Sequence, residues 1–219
     1  MAPLKTLPEV FVFSILSIST WLMIHKQVEH NGPIPFARHI IRLNSWVYAS
    51  ASLLMLLLIL CYGQPPSDST PGNTRLSIPD PAYIYHLSKF YEFLDILLVC
   101  ASGGSINLHF AFHHLTTPYL TFVRCLYPVH SNGWRVFAAL NTTHHVLMYA
   151  YFGGAGFLKH SLPWTGIVQL AVGIFVDLFM GWRKYMESGG SYLWPHIFSG
   201  GLLGVYFVLQ VRDLRARRA

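Results

Sequence analysis

The chain has 219 residues, 53% of them hydrophobic and only 11% charged, with a formal net charge of +6. Soluble domains carry about 25% charged residues, and a core this small cannot hide so much apolar surface from water. The composition excludes an ordinary soluble domain and points to a single polytopic membrane domain of residues 1–219, all-α because a helix satisfies its own backbone in lipid. A mean hydropathy of +0.42 agrees. The basic excess forms no stripe that would suit nucleic acid, so nucleic acid is not an expected partner. Arg212, Arg215, Arg217 and Arg218 instead cluster after the last apolar segment, as in a juxtamembrane tail facing anionic lipid.

Seven apolar segments, each near the roughly 20 residues that cross a bilayer, run approximately over 8–25, 43–62, 82–101, 105–127, 134–154, 161–182 and 192–211. The first, Val10 to Ile24, is followed by His25-Lys26-Gln27 rather than a small-residue cleavage site, and reads as a retained span. Gly63 to Pro81, rich in Pro, Ser, Gly and Asp, reads as an exposed loop. With seven spans, the side holding the C-terminus collects about eight Lys and Arg against about six opposite, which favours a cytoplasmic C-terminus. Cys61, Cys100 and Cys125 form no CxxC pair, so neither zinc nor a disulfide framework is indicated.

The third segment contains Lys89-Phe90-Tyr91-Glu92-Phe93-Leu94-Asp95, three full charges in an apolar run. Charges at that depth are expensive and each needs a partner or a task. Helical periodicity places Lys89, Glu92 and Asp95 within an arc of roughly 120°, so they share an interior face. Ser102-Gly103-Gly104 then makes a tight reversal. In the fourth segment His109 and His113 share a face and His114 turns about 100° away. In the fifth, Asn141, His145, Met148 and Tyr149 fall on one face with His144 beside it. Gln169 and Asp177 in the sixth read most simply as interhelical hydrogen-bonding groups.

Two chemistries fit histidines meeting across such a core. His-x-x-x-His-His at 109–114 resembles one box of the membrane di-iron desaturases and hydroxylases, and imidazole suits iron. Those enzymes need about three such boxes, and no third exists here. Alternatively, an imidazole nitrogen attacks an activated acyl group and moves protons near neutral pH. Neighbouring Lys, Asn and Tyr would then orient substrate or stabilise developing charge. A non-enzymatic seven-helix transporter, with the buried charges as a proton relay, is the third class.

Taken together the motifs resemble the ELO family of very-long-chain fatty acid elongases. Tyr83 to Asp95 carries that family's Lys-x-x-Glu-x-x-Asp pattern whole. His113-His114-Leu115-Thr116-Thr117-Pro118 is similar to the end of its histidine box, and Asn141 to Phe152 to its Asn-x-x-x-His-x-x-Met-Tyr motif. Pro35-Phe36-Ala37-Arg38 is a looser echo. The resemblance implies a seven-helix enzyme of the endoplasmic reticulum membrane. It would condense a long-chain acyl-CoA with malonyl-CoA to a 3-oxoacyl-CoA two carbons longer, releasing CO2 and CoA. It implies His113 as the acyl acceptor, His145 as its partner, and His114, Asn141 and Tyr149 in support. Lys89, Glu92 and Asp95 would form a polar network that shapes the site or meets the CoA end, with His109 and Gln169 nearby. No metal or redox cofactor is implied. Membrane lipid, the other enzymes of the elongation cycle and a second copy of the chain are the expected partners.

The sequence departs from that pattern in four places. Phe110 stands where the family's box begins with histidine, and a π-bulge would be needed to bring His109 there. Ile96 replaces the usual Thr after Asp95, and Gln169 is flanked by Gly166 and Val172 where further polar residues are usual. The chain is also shorter than most members. The closed end of an acyl slot is not set by any motif; bulky Trp164, Phe175 and Trp194 are candidates.

Overall fold

The computed structural model describes residues 4–61, 80–126, 133–190 and 193–216, and among them there is no strand. The expected loop from Gly63 falls almost wholly outside the described residues, as do Arg217 and Arg218. Eight α-helices follow in chain order: α1 (Leu7–Asn31), α2 (Ala37–Cys61), α3 (Pro81–Tyr91), α4 (Phe93–Ala101), α5 (Leu108–Leu126), α6 (Trp134–Gly153), α7 (Leu162–Ser188) and α8 (Trp194–Ala216). A short 3-10 turn, Gly156–His160, links α6 to α7. Counting α3 and α4 as one interrupted segment gives the seven-helix membrane bundle that the apolar pattern predicts. Among the described residues α1, α2, α7 and α8 are individually long and apolar enough to cross a membrane.

Local chemistry sets the helix ends. Thr6 and Glu9 form a reciprocal capping box at α1, each side chain accepting from the other's backbone N–H. Asp80 caps α3 with Pro81 in its first turn, and Gly189, at φ 63°, ends α7 in the left-handed region open to glycine. The interruption between α3 and α4 lies at Glu92. There the Asp95 N–H bonds the Glu92 carbonyl three residues back at 3.1 Å, a single 3-10 step. The helical period therefore continues with a small offset, and Lys89, Glu92 and Asp95 still face the interior.

The packing order closes a ring: α2 against α6, α6 against α7, α7 against α8, α8 against α5, α5 against α3 and α4, and these against α2. Helix α1 stands outside, against α4 and α5, and buries only Val10, Ser14 and Ser17. With α3 and α4 taken as one segment, successive segments alternate in direction. The Ile34 N–H bonds the Ala101 carbonyl at 2.8 Å, Arg42 and Trp46 donate to the Gly153 carbonyl at 2.9 Å, and Asn107 donates to Asp213 at 3.1 Å. These contacts gather the α1–α2, α4–α5 and α6–α7 connections and the C-terminal end of α8 at one end of the bundle.

At the other end a second charged cluster ties three helices together. Arg124 of α5 donates to Asp177 of α7 at 2.7 Å and to Ser199 of α8 at 2.5 Å. Ser199 donates to the same carboxylate at 2.5 Å, and His196 Nδ1 stands 3.3 Å from its other oxygen. Asp177 thus joins helices, as the simpler reading expects. All four side chains are buried, so removing one partner strands a charge in a low-dielectric interior, at a cost of about 3–5 kcal/mol. We expect Asp177→Ala to lower stability in detergent by about that amount, read from thermal or denaturant unfolding. Arg183→Ala breaks the exposed Arg183–Glu187 pair and should leave the transition where it is.

Candidate active site

A cavity of about 370 Å³ opens at the end of the bundle where Asn107, Lys159, Gln210 and Asp213 lie. His109, His113, His114, His144, His145, Asp95, Tyr149 and Gln169 all line it. The structure therefore brings together seven of the ten residues to which the resemblance gives a place in the site, with His144 beside them. Lys89, Glu92 and Asn141 lie just beneath, sealed from the cavity with exposures of 1%, 1% and 2%. That burial removes the contact with the CoA end considered for Lys89 and Glu92; they support the floor from below.

The sealed layer is a continuous network. The Lys89 ammonium donates to Glu92 Oε1 at 2.6 Å and to Asn141 Oδ1 at 2.8 Å, and sits 4.6 Å from the centre of the Tyr85 ring. Tyr48 donates to the same carboxylate oxygen and Tyr85 to the same amide oxygen, both at 2.8 Å. With its oxygen occupied by two donors, Asn141 turns its Nδ2 to Gln169 Oε1 at 3.0 Å and toward His145 Nε2 at 3.4 Å. That contact makes Nε2 of His145 the acceptor, so its proton sits on Nδ1, 3.3 Å from Glu92 Oε1. One asparagine thereby sets the tautomer of the histidine above it.

A second network runs along the cavity wall. Tyr149 makes a short hydrogen bond to Asp95, and the same carboxylate oxygen stands 3.6 Å from His114 Nε2. His114 Nδ1 lies 2.9 Å from the Phe110 carbonyl, and a carbonyl only accepts, so the hydrogen is on Nδ1. His144 is held by Thr165 at 2.8 Å. His113 differs from all of these: among the described residues neither of its ring nitrogens has a hydrogen-bond partner. Its ring packs against His114 at 5.3 Å and Tyr206 at 4.9 Å, edges open to the cavity.

The displaced histidine has gone elsewhere. Helix α5 is regular through this region, with no π-bulge, and His109 Nδ1 lies 3.7 Å from Asp213 at the cavity mouth. The Phe110 ring sits 4.3 Å from that of His114. Glu92, His113 and His114 place one ligating atom each within 4.8 Å of one another, the arrangement nearest to a metal site among the described residues. Lys89, 2.6 Å from the Glu92 carboxylate, opposes a cation there.

Sequence reasoning passed over Tyr48 and Tyr85, which complete the sealed network. A signal existed for Tyr48: Asn44, Ser45, Tyr48 and Ser52 recur at helical spacing along α2 and form its buried face.

No solved structure matches the chain. Fatty acid elongase 1 of Trypanosoma cruzi (strain CL Brener) is 31% identical over 52% of this chain and 42% of its own length. Fatty acid elongase 2 of the same organism is 28% identical over 49% and 41%. Very long chain fatty acid elongase 1 of Homo sapiens is 26% identical over 60% and 50%. The chain spans about half the length of these relatives or less. Residues 4–212 match the family model described as ELO, GNS1/SUR4, and the chain belongs to that family.

Proposed function

We propose that the chain is a fatty acid elongase of the condensing type, joining an acyl-CoA to malonyl-CoA. The observation that carries this reading is His113, neither of whose ring nitrogens has a hydrogen-bond partner among the described residues, beside His114, His144 and His145, each of which is held at one nitrogen. A nucleophile needs an uncommitted lone pair, whereas groups that move protons need fixed tautomers. In the proposed cycle a His113 nitrogen attacks the thioester carbonyl, the N–C bond forms, the C–S bond breaks and CoA leaves as the thiol after taking up a proton. Malonyl-CoA then loses CO2, its carbanion attacks the acyl carbon, and the N–C bond to His113 breaks to release the 3-oxoacyl-CoA. His145, fixed by Asn141, moves protons opposite; His114, braced by Asp95 and Tyr149, orients the carbonyl. Lys89 and Glu92 hold that geometry from below.

The family names support the elongation setting. We place the protein in the endoplasmic reticulum membrane with the cavity mouth and C-terminus toward the cytoplasm, where soluble CoA thioesters are met. Arg38, Arg42, Lys159, Arg212 and Arg215 at that end agree with the positive-inside bias. A homodimer and the remaining enzymes of the cycle are the proposed partners, and no metal or redox cofactor enters the reaction.

Purified protein given acyl-CoAs and radiolabelled malonyl-CoA should form lengthened product, and His113→Ala should lower turnover by at least about a thousandfold. Without malonyl-CoA, an acyl group should be recovered by mass spectrometry on the peptide containing His113. Wild-type protein that yields no product across a broad panel would sink the reading. Stoichiometric iron in the same preparation would favour the desaturase alternative. Asp95→Asn should lower kcat by about a hundredfold with KM little changed, because it loosens His114, which orients the reacting carbonyl, rather than substrate binding.

A further inference from the structure

An acyl thioester needs apolar space beyond its reacting carbon, so what lies beneath His113 decides which chains fit. Helix by helix the cavity stops at one level: Ser45 on α2, Asp95 on α4, His114 on α5, His144 on α6, Leu170 on α7 and Gln210 on α8. Below that level the bundle is filled. The Tyr206 ring, 1% exposed, lies against His113, and its hydroxyl is 2.7 Å from Thr116. Thr116 already donates its hydrogen to the Phe112 carbonyl at 2.6 Å, so Tyr206 is the donor in that pair. Phe137 lies over Gly173 so closely that a Cβ there would stand 2.6 Å from the ring. Leu120 and Leu203, at 1% and 0% exposure, complete the layer, with Leu170 at its upper edge where the cavity stops. Farther down lies the Arg124–Asp177 pair. The residues expected from sequence to close the slot do not do so: Trp164 and Phe175 are each 67% exposed and Trp194 is 46%, facing outward.

We propose that Tyr206, locked to Thr116 and backed by Phe137 and Leu203, is the floor of the acyl slot, so that the protein takes short- and medium-chain acyl-CoAs and rejects long-chain ones. This rests on the condensing-enzyme reading above. Passing a long chain below His113 would strip a buried hydroxyl of its partner and part a close-packed core. The space above the floor lies near the lower end of the roughly 300–1,000 Å³ of small-molecule sites, and it must also admit the end of the CoA arm. Tyr206 is a specificity-determining residue that touches the acyl terminus; it takes no part in bond making.

The test is a chain-length profile of the purified full chain, using butyryl-, hexanoyl-, octanoyl-, decanoyl-, palmitoyl- and stearoyl-CoA with radiolabelled malonyl-CoA. For the wild type, kcat/KM for the best of the four shorter thioesters should exceed that for stearoyl-CoA by at least about tenfold. Tyr206→Ala should raise the palmitoyl-to-octanoyl ratio by about tenfold, and Tyr206→Phe, which keeps the ring, by less. A wild type that prefers palmitoyl- or stearoyl-CoA overturns the inference and leaves the condensing reading standing. Absence of product from every thioester overturns both. A folded Tyr206→Ala protein with an unshifted profile overturns the role of Tyr206. Should that variant fail to fold, Leu203→Ala opens the same floor, and the wild-type profile decides on its own.

Discussion

Everything at the level of the cavity hangs on a buried ammonium held by a carboxylate. Isolated in the interior, each ion would cost several kcal/mol, and attraction offsets that only with good geometry and further hydrogen bonds. Lys89 and Glu92 have both: a 2.6 Å contact, the Asn141 amide, the Tyr48 hydroxyl and the Tyr85 ring face. Those partners come from α2, α3 and α6, and Asn141 passes the connection to Gln169 on α7. The pair therefore fixes how four helices stand relative to one another. The tautomer of His145 follows from that fixation.

Two charged centres divide the bundle along its length. Lys89–Glu92 supports the cavity floor, Arg124–Asp177 clasps α5, α7 and α8 at the opposite end, and an apolar layer of Leu120, Phe137, Leu170, Leu203 and Tyr206 fills the space between. A polar half that holds the cavity thus rests on a dry, close-packed half. Helix–helix attraction in lipid gains little from hydrophobicity, since the surroundings are equally apolar, and hydrogen-bonded pairs and tight packing take its place. The rigidity that results suits the cavity: reacting groups displaced by an ångström lose much of their effect.

Sequence periodicity was informative where the signal is local. The apolar runs anticipate α1, α2 and α5 to α8 to within several residues, and the polar stripes on the third and fifth segments do face inward. The break at Glu92 left no trace because the offset is one 3-10 step and the side-chain period survives it. The outward turn of Trp164, Phe175 and Trp194 was illegible for a different reason. In a membrane both the lipid and the core are apolar, so hydrophobicity cannot say which way a bulky residue faces. The pairing of His109 with Asp213 joins residues far apart in sequence, and no local pattern announces such a contact. Tyr206 escaped notice likewise, since its meaning comes from α5.

The altered histidine box shows which part of a motif the geometry uses. His114 is oriented by a hydrogen bond to the backbone carbonyl of residue 110, one turn earlier, and by Asp95 across the cavity. A carbonyl is present whatever side chain position 110 carries, so Phe110 preserves that bond and adds a ring packed on the imidazole. What the substitution removes is a third titratable group beside His113 and His114. His109 does not restore it, because 100° of helical rotation sends that ring to the mouth and to Asp213. The cavity thus keeps an oriented His114 while its polar rim moves one residue outward, toward the solvent end.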